Sequence, residues 1–571
     1  MEETKKRKKK KLKKGPIFLG MFLIVAVVAI IFLMKQDFFQ DLDKAYYLAS
    51  AGTEVITYSE TGEESVTLPR GSKVVYHSSK NKKLDSGEEL FAFTFKDKTY
   101  YLKNYDIFVK EENESVLEKT VYVRTPQNLY EKLDSSHLLT LVDKGTNLTV
   151  IGFDKLNSDG TVNSYYVENN GTKGYIYGKY VTLDEESAKA NYEPDKYYTV
   201  HQNRGNKYGG GDAGHLDYFP VTKPKFENNP LPEKVYALYL NNGKDILARV
   251  DEYISFAKET NINAFVVDIK DNKAPGYQSE VLKKYSMTNY EHAFNDFESY
   301  KKAITKIKEA GFYVIGRITT FKDEYYVDDH KDQAITSTST GNPLSHNGTY
   351  WPSAYQRDVW EYTVELAKEA VTEMGFNEIQ FDYVRFPDGT GRLESQGLID
   401  YKNTYNEEKA QAIQRFLQYA TDELHKLNVY VSADVFGESA HTYVTAYGQY
   451  WAAISNVVDV ISAMPYPDHF NKYEYGFDTP VWTIPYDLLN YWGENYAMKR
   501  QTECPTPAIA RTWIATYDTI KEPYVTYGAK EVEEQIKGLF DAGLTGGYMT
   551  WNSSSNLVKY KSQKNAYSKE Y

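Results

Sequence analysis

Acidic, basic and aromatic residues follow short apolar runs in the C-terminal half of this sequence. In the clearest case, residues 377–388, Asp382 and Arg385 stand near the end of a run rich in Ile, Phe, Tyr and Val. Such a run predicts a buried strand. An ionised carboxylate there is costly unless a partner neutralises it or a cleft brings it to a substrate. The alternative without a catalytic role is a structural ion pair between Asp382 and Arg385 or another cation.

The same pattern recurs where the other apolar runs of this half end. The residues at those ends are Asn241, Asp268, Lys270, Arg317, Asp434, Tyr466, Asp468, Tyr517, Asp518, Trp551 and Asn552. If the runs are parallel strands of one barrel, their carboxyl ends meet at one rim. Convergence of carboxylates, cations and aromatic rings from separate strands is hard to explain by packing alone, so it predicts a functional site.

Paired carboxylates beside aromatic rings are suited to hydrolysing glycosidic bonds. One carboxyl protonates the leaving oxygen while the other attacks the anomeric carbon or activates water, and neighbouring charges push the two pKa values apart. The sequence lacks the motifs of serine acyl transfer, nucleotide binding and zinc hydrolysis. His441 near the rim has no obvious ligand partner, so we expect neither a metal nor a cofactor. The same lack weakens a lyase or deacetylase acting on an amino sugar.

From residue 235 the sequence alternates between a predicted strand and an amphipathic helix. The predicted strands are 235–241, 264–270, 313–319, 378–387, 429–437, 458–467, 511–518 and 546–552. The predicted helices are 245–260, 300–310, 359–374, 407–427, 450–455 and 531–542. Eight units in about 320 residues predict an α/β fold, a (β/α)8 TIM-type barrel. A doubly wound open sheet is the alternative, but no Gly-rich phosphate turn follows the first strand.

The connections between these elements are asymmetric. Strand-to-helix links are long, notably 270–300 and 319–359, whereas helix-to-strand links are a few residues. Because the loops after the strands build the active site in such barrels, the long loops point to the same end as the polar strand-end residues.

Residues 235–556 resemble a glycosyl-hydrolase barrel family of unknown function found in bacterial exported proteins. The segments that carry the resemblance are 237–240, 265–270, 315–318, 379–387, 432–437 and 463–467. It implies a (β/α)8 fold and a distant relation to retaining α-glycosidase barrels. Their nucleophile, an Asp at the end of the fourth strand, maps onto Asp382. The resemblance leaves Asp434, Glu438 and Asp468 as candidates for the acid/base.

We expect Asp382 and Asp434 to be the catalytic pair, with Arg317 and Arg385 lowering the Asp382 pKa. Apolar neighbours and the Asp382 charge should keep Asp434 protonated. Neighbouring strands lie about 4.8 Å apart, so the two carboxyls can approach to ~5–5.5 Å, as in retaining enzymes. Alternatively, Asp434 pairs with Arg317 or Lys270 to neutralise the barrel mouth. The expected substrate-binding residues are Asp268, Lys270, Arg317, Arg385, Glu438, Tyr466, Asp468, Asp518 and Trp551.

The N-terminal residues predict a single-pass membrane anchor. Nine Lys or Arg residues among residues 5–14 precede residues 17–34, which carry no charge. That stretch is near the lower limit for a helix across ~30 Å of hydrocarbon and longer than the ~7–15-residue core of a signal peptide. We therefore expect a cytoplasmic basic tail over 1–16, a signal anchor over 17–34, and the rest of the chain outside the cell.

Two features of composition exclude other classes of partner and site. The net charge of −12 arises despite the basic tail, so the remainder is acidic and unsuited to nucleic acid. The single cysteine, Cys504, excludes an intramolecular disulfide framework and a Cys-rich zinc site.

Residues 45–183 show short alternating strands with Gly, Asn and Asp turns and no convincing helix. The run 174–181, Gly-Tyr-Ile-Tyr-Gly-Lys-Tyr-Val, resembles a bacterial SH3-like domain, which we place at 118–185. A fainter echo of it suggests a divergent copy at 45–112. The resemblance implies cell-wall or glycan binding, with a plain spacer as the alternative. Residues 191–232, rich in Gly and Pro, predict a linker or a strap over the next domain.

These features predict a membrane-anchored extracellular glycosidase, with its barrel at 233–560. Its partner would be a cell-wall, peptidoglycan-type or capsular polysaccharide. The alternative is a catalytically silent barrel that binds glycan and helps to organise the envelope. An intact Asp382 and a second carboxylate favour the enzyme, because binding alone does not need them.

Overall fold

The computed structural model describes residues 45–48, 53–59, 62–68, 72–103, 108–110, 120–155, 157, 161–197 and 209–571. The predicted tail at 1–16 and membrane anchor at 17–34 lie outside the described residues. In the described part, no helix is both long and apolar enough to span a membrane. The described residues fall into two compact units, one of those up to residue 124 together with 142–188, and one of 125–141 together with those from 189 to 571.

The first unit is built from antiparallel β-structure. Its strands are Ala45–Leu48, Thr53–Ser59, Gly62–Leu68, Lys73–Tyr76, Lys82–Lys83, Glu89–Phe95, Lys98–Leu102, Phe108–Lys110, Thr120–Val123, Asn147–Phe153, Ser164–Asn169, Thr172–Tyr177 and Val181–Thr182. Val55, Val74 and Phe93 lie in one buried apolar cluster of this unit. Short strands are what the alternating pattern predicts, whereas the SH3-like assignment stays a prediction.

The second unit contains a nearly closed barrel of parallel strands. The strands are Val235–Leu240, Ala264–Asp271, Tyr313–Thr319, Glu378–Asp382, Tyr430–Phe436, Val460–Met464, Ile509–Ala510, Thr512–Ala515 and Gly547–Trp551. Ile509–Ala510 pairs with the sixth strand and Thr512–Ala515 pairs with the last one. Only Arg511 separates these two short strands, so one seventh segment joins both edges of the sheet. The predicted α/β barrel of TIM type is confirmed at this level.

Helices follow the strands along the chain. Those of the second unit are Lys244–Ala248, Val250–Ala257, Glu280–Tyr285, Met287–Glu291, Phe297–Glu309, Glu324–Asp329, Arg357–Met374, Gly391–Ser395, Lys409–His425, Trp451–Val457, Pro485–Trp492, Met498–Glu503, Ala529–Asp541, Leu557–Ser562 and Lys564–Tyr567, with Pro194–Tyr197 preceding the barrel. Arg357–Met374 ends at Gly375, whose φ of 70° suits a residue without a Cβ. The sequence analysis missed Pro485–Trp492 and Met498–Glu503, which the π-helical turn Gly493–Ala497 joins.

Three barrel strands, the fourth, the sixth and the seventh, end at least three residues earlier than predicted. The fourth ends at Asp382 because Tyr383 takes a φ of 49°, which breaks the extended conformation, so Arg385 lies on a loop. The sixth ends at Met464, and Pro465 and Pro467 follow it. Proline cannot donate the backbone hydrogen bond that a central strand needs.

Residues 209–232 form a strap that packs on the barrel's helices. The Lys223 ammonium donates to the carbonyls of Ser455 and Asn456 at 3.3 and 2.9 Å, near the end of Trp451–Val457. Burial lowers the Lys223 pKa to about 8. A cation at a helix C-terminus satisfies carbonyls that have no partner within the helix. Residues 209–232, the described end of the region predicted as a linker or a strap, therefore pack against the helices.

The lower part of the barrel interior is filled. Ala237, Val266 and Ile315 belong to its buried apolar cluster. Near the N-terminal ends of the strands, Glu378 pairs with Arg511 at 2.8 Å, and both side chains are fully buried. The interior is thus a packed core rather than a pore.

Candidate active site

Arg317 lies at the centre of a charged cluster at the C-terminal ends of the barrel strands. Its Nη1 donates to Asp268 Oδ1 at 2.7 Å. Its Nε and Nη2 donate to Asp382 Oδ2 at 3.0 and 2.5 Å. The third strand, which carries Arg317, lies between the strands of these two aspartates. One buried cation therefore bridges two carboxylates.

Asp382 is the most exposed of the cluster's three aspartates. Its side chain is 8% exposed, against 2% for Asp268 and 0% for Asp434. Its Oδ1 accepts a hydrogen bond from the backbone N–H of Tyr383 at 2.5 Å. The positive φ of Tyr383 is rare for a bulky residue and marks a strained turn directly after the carboxylate. Asp382 is thus firmly held and faces the barrel mouth.

Asp434, on the fifth strand, is buried beside Asp382. Its Oδ1 accepts from Trp513 Nε1 at 2.8 Å, and its Oδ2 has no hydrogen-bond partner within the described part of the chain. That Oδ2 lies 3.9 Å from Arg317 Nε, the atom that also contacts Asp382 at 3.0 Å. The two carboxyl oxygens are therefore less than about 7 Å apart, the sum of those distances. Burial first, and then the Asp382 charge, raise the Asp434 pKa well above its usual range.

Asp268 is the third member of the cluster. Its Oδ2 accepts from the Tyr239 hydroxyl at 2.5 Å. Burial raises the Asp268 pKa to about 6, and the neighbouring Asp271 adds to that rise while Arg317 opposes it. Burial therefore raises the pKa of both Asp268 and Asp434 and favours their protonated forms, and a carboxyl held protonated is what general acid catalysis requires.

Aromatic rings form one wall of the mouth. Trp551 packs 4.7 Å from Tyr239 and 5.6 Å from Trp513, measured between ring centroids. Tyr466 stacks nearly parallel to Trp551 at 6.5 Å, and the Arg317 guanidinium lies 5.3 Å from the Trp551 ring. Tyr466 and Trp551 thus lie beside the carboxylates, as the sequence analysis expected. Tyr239, Tyr466 and Trp513 are buried, so only the partly exposed Trp551 ring offers an apolar surface on which a sugar face can rest.

Lys270, expected at the rim, points elsewhere. A β-bulge between Asp268 and Lys270 shifts the register of the second strand. The Lys270 ammonium instead pairs with Asp323 at 2.9 Å and donates to the Thr319 carbonyl at 2.7 Å. Strand alternation without the bulge would have placed both side chains on one face, which is why the prediction was wrong.

Asp468 and Asp518 also lie apart from Arg317. The Asp468 carboxylate accepts from the Tyr517 hydroxyl at 2.8 Å and the Ile520 N–H at 3.1 Å, so it fixes a loop. Asp518 is 55% exposed and pairs with Lys559 at 2.5 Å. The seventh strand ends at Ala515, three residues before Asp518, which removes Asp518 from the strand end.

Arg385 and Glu438 lie on the loops after the fourth and fifth strands. Arg385 pairs with Asp388 at 3.0 Å and makes no ion pair with Asp382, contrary to the expectation. Half-buried Glu438 accepts from the hydroxyls of Tyr443 and Tyr447 at 3.1 and 2.9 Å. The Arg385 guanidinium lies 5.6 Å from the centre of the Tyr447 ring, so Arg385 and Glu438 both lie beside Tyr447.

Three further residues belong to the site and were missed: Tyr239, Trp513 and Asp271. Tyr239 and Trp513 each lie two residues from an inward-facing position, so the two-residue period of a strand could have identified them. Asp271 Oδ1 accepts from the Thr319 hydroxyl at 2.7 Å. Burial alone would raise the Asp271 pKa, but the Arg317 charge and this hydrogen bond outweigh it and lower the pKa.

Comparison with known proteins places the barrel in a family. The model of the DUF4015 family, described as "Putative glycosyl hydrolase domain", matches residues 237–557, more than half of the chain. The chain belongs to this family. No curated protein matches the sequence.

Solved structures with similarity to the chain include several glycoside hydrolases. A hypothetical protein from Ruminiclostridium thermocellum is 34% identical, covering 35% of this chain and 97% of its own, with a TM-score of 0.29. The PgaB (BpsB) glycoside hydrolase domain from Bordetella bronchiseptica is 12% identical, covering 59% and 99%, with a TM-score of 0.42. A chitinase from Rhizomucor miehei is 11% identical, covering 59% and 99%, with a TM-score of 0.35.

Proposed function

We propose that this protein is a glycosidase in which Asp382 and Asp434 carry out the reaction at the barrel mouth. The observation that carries the proposal is the cluster around Arg317. There the Arg317 guanidinium donates two hydrogen bonds to Asp382. The neighbouring Asp434 is buried, which raises its pKa and keeps its carboxyl protonated. A carboxylate and a carboxylic acid side by side are what glycoside hydrolysis requires. Membership of the glycosyl hydrolase family supports the same reaction class.

In the proposed reaction, Asp382 attacks the anomeric carbon and the bond from that carbon to the leaving oxygen breaks. The Asp434 proton passes to the leaving oxygen. Water then attacks the anomeric carbon, the bond to Asp382 breaks, and one water proton returns to Asp434. Arg317 holds the Asp382 carboxylate in place throughout. The separation of less than about 7 Å between the oxygens suits this two-step retaining route, in which the carboxyls stand ~5–5.5 Å apart.

The complete burial of Asp434 sets a condition on this scheme. Its carboxyl reaches a glycosidic oxygen only if the side chains that bury it, among them Trp513, which hydrogen-bonds to it, move aside when substrate binds. Glu438 is the alternative donor because it is half-buried on the next loop and is already hydrogen-bonded by two tyrosines. Separate Asp434→Asn and Glu438→Gln variants distinguish the two, because each removes one transferable proton and little volume.

We further propose that the enzyme acts on a cell-wall or capsular polysaccharide outside the cell, tethered by residues 17–34. The support is the basic run followed by an uncharged apolar stretch. Protease added to intact cells should then degrade the barrel. Recovery of a main species lacking residues 1–34 would contradict the anchor.

The burial of Asp434 is also the observation that favours the second candidate, a silent glycan-binding barrel. The test is to incubate the full chain, purified in mild detergent, with a panel of purified wall and capsular glycans and to measure new reducing ends. A glycosidase releases them and a binding protein does not. If glycans bind but no reducing ends form at any pH between 4 and 9, the second candidate replaces the first.

A further inference from the structure

Lys322 is a half-buried cation at the barrel mouth that has no acidic partner among the residues the structure describes. It lies on the loop after the third strand, and its ammonium is 4.5 Å from the centre of the Tyr383 ring. Its hydrogen bond within the described residues goes to the Tyr383 hydroxyl at 3.4 Å. Within the described part of the chain, no carboxylate comes within 4.0 Å of it. The neighbouring Asp323 is already paired with Lys270.

Arg385 approaches the same ring. Its guanidinium carbon lies 5.0 Å from the Tyr383 centroid and 4.6 Å from that of Phe436. Arg385 is 5% exposed. The hydrogen bonds that its side chain makes to described residues both come from Nη1, to Phe386 O and Asp388. The Nε and Nη2 donors therefore remain free for a further acceptor.

The shared ring brings the two cations close together. Both distances are measured to the Tyr383 centroid, so the charges lie less than about 10 Å apart, the sum of 4.5 and 5.0 Å. Asp388 neutralises Arg385 in part, and its side chain is 46% exposed. Lys322 remains unneutralised. Two cations at this distance in a partly buried site repel each other, and a bound anion would relieve that repulsion.

The position of Tyr383 ties this pair to the proposed reaction centre. Tyr383 directly follows Asp382, its φ of 49° is strained, and its ring packs 5.8 Å from that of Trp351. The Trp351 indole nitrogen is buried and has no hydrogen-bond partner among the described residues. Strained residues persist where the surroundings hold them, and they cluster at binding sites. A third unsatisfied donor beside the two cations indicates a site that lacks an acceptor.

We propose that Lys322 and Arg385 form a subsite for an anionic substituent, a carboxylate or a phosphate, on the glycan that reaches Asp382. The protein would then act on an acidic polysaccharide. This inference rests on the proposed function, because it names the substrate class of the same mouth. A guanidinium and an ammonium both bind oxyanions through short charge-assisted hydrogen bonds. A neutral sugar would leave the Lys322 charge uncompensated.

The test is calorimetric binding to the full-length Asp382→Asn variant in mild detergent, so that no probe is cleaved. The three probes are a galacturonate hexamer, its fully methyl-esterified counterpart, and a glycerol phosphate oligomer. The esterified hexamer keeps the sugar backbone and removes the charge. We expect an anionic probe to bind at least about tenfold more tightly than the esterified one, and Lys322→Met to remove about tenfold of that affinity. The two anionic probes distinguish a carboxylate from a phosphate.

Lys472→Met is the matched control, because Lys472 also lies over a tyrosine ring, Tyr473 at 5.3 Å, on the loop after the sixth strand. It should leave the affinity unchanged. Equal binding of charged and esterified hexamers, no binding of either anionic probe, or equal losses in the two Lys variants would each overturn the subsite. The probe comparison needs no substitution in the subsite, so it holds even if Lys322→Met misfolds.

Activity separates the two proposals. Cleavage of neutral glycans by the wild type, without any preference for charged probes, overturns the subsite and leaves the glycosidase proposal standing. Charge-dependent binding without cleavage of any glycan retains the subsite and overturns the glycosidase proposal.

Discussion

Replacing Arg317 by Met should destabilise the barrel in a manner that depends on pH. The substitution removes three hydrogen bonds to carboxylates and leaves Asp268 and Asp382 buried without their shared cation. Breaking a buried ion pair by removing one partner costs about 3–5 kcal/mol. Because Arg317 serves two carboxylates, we expect the loss at pH 7.5 to reach the upper part of that range.

The pH dependence follows from the Asp268 pKa. Burial already raises that pKa to about 6 in the folded protein, against about 3.9 in an unfolded chain. A raised pKa gives stability that is fully present below about pH 3.9 and lost as the pH rises through 6. Without Arg317 the pKa rises further, so the variant continues to lose stability above pH 6. At ~1.4 kcal/mol per pH unit, the wild-type advantage should be about 2 kcal/mol larger at pH 7.5 than at pH 5.

Tryptophan fluorescence during denaturant unfolding is the appropriate assay. All seven tryptophans lie between residues 351 and 551, so the signal reports on the barrel alone. Adding Asp268→Asn to Arg317→Met should restore part of the lost stability, because it removes one of the uncompensated charges. Arg511→Met is the control: Arg511 pairs with buried Glu378 at 2.8 Å, so stability should fall without coupling to Asp268→Asn. A loss independent of pH, or equal coupling in both cycles, would refute the reasoning.

Three further predictions test individual residues. Asp434→Asn should lower kcat by about 10²- to 10⁴-fold with an unchanged unfolding midpoint, because an asparagine cannot supply the proton. If Asp434→Asn keeps full activity and Glu438→Gln loses it, Glu438 is the proton donor. The Asp268 pKa of about 6 predicts that wild-type kcat/KM rises near pH 6 as Asp268 ionises, and Asp268→Asn should abolish this step. A step that persists in the variant would contradict the assignment of this titration to Asp268. Lys270→Met should lower the free energy of unfolding by about 3–5 kcal/mol, because it breaks the buried ion pair with Asp323. KM should stay unchanged because Lys270 points away from the cluster, and a raised KM would show that Lys270 contacts the substrate.

The barrel could be predicted from the sequence because the hydrophobic periodicity of its strands and helices is strong and local. All eight predicted strand positions are occupied, and Asp268, Arg317, Asp382 and Asp434 meet as their strand-end positions predicted. Parallel strands bring their carboxyl ends together whatever the loops do. The strand alternation that places Asp268 inside the barrel depends only on a two-residue period.

The errors arise where the backbone departs from that period. The bulge beside Asp268 turns Lys270 towards Asp323, and the positive φ of Tyr383 takes Arg385 off its strand. Bulges and strained turns depend on tertiary contacts, which a single sequence does not reveal. The partners of the charged residues could not be predicted either. Arg385 pairs with Asp388 and Asp518 with Lys559, and charge alone does not select one partner among the many acidic and basic residues of the sequence.

The rate of reducing-end release by Asp382→Asn, on whichever glycan the wild type cleaves, tests the central claim most directly. Asp518→Asn is the control, since that carboxylate is exposed and paired with Lys559. If Asp382 forms the bond to the anomeric carbon, its variant should lose about 10⁴-fold in kcat or more, as expected when a nucleophile is removed. Asp518→Asn should keep wild-type activity. A fully folded Asp382→Asn variant that cleaves as fast as the Asp518→Asn control would contradict the account.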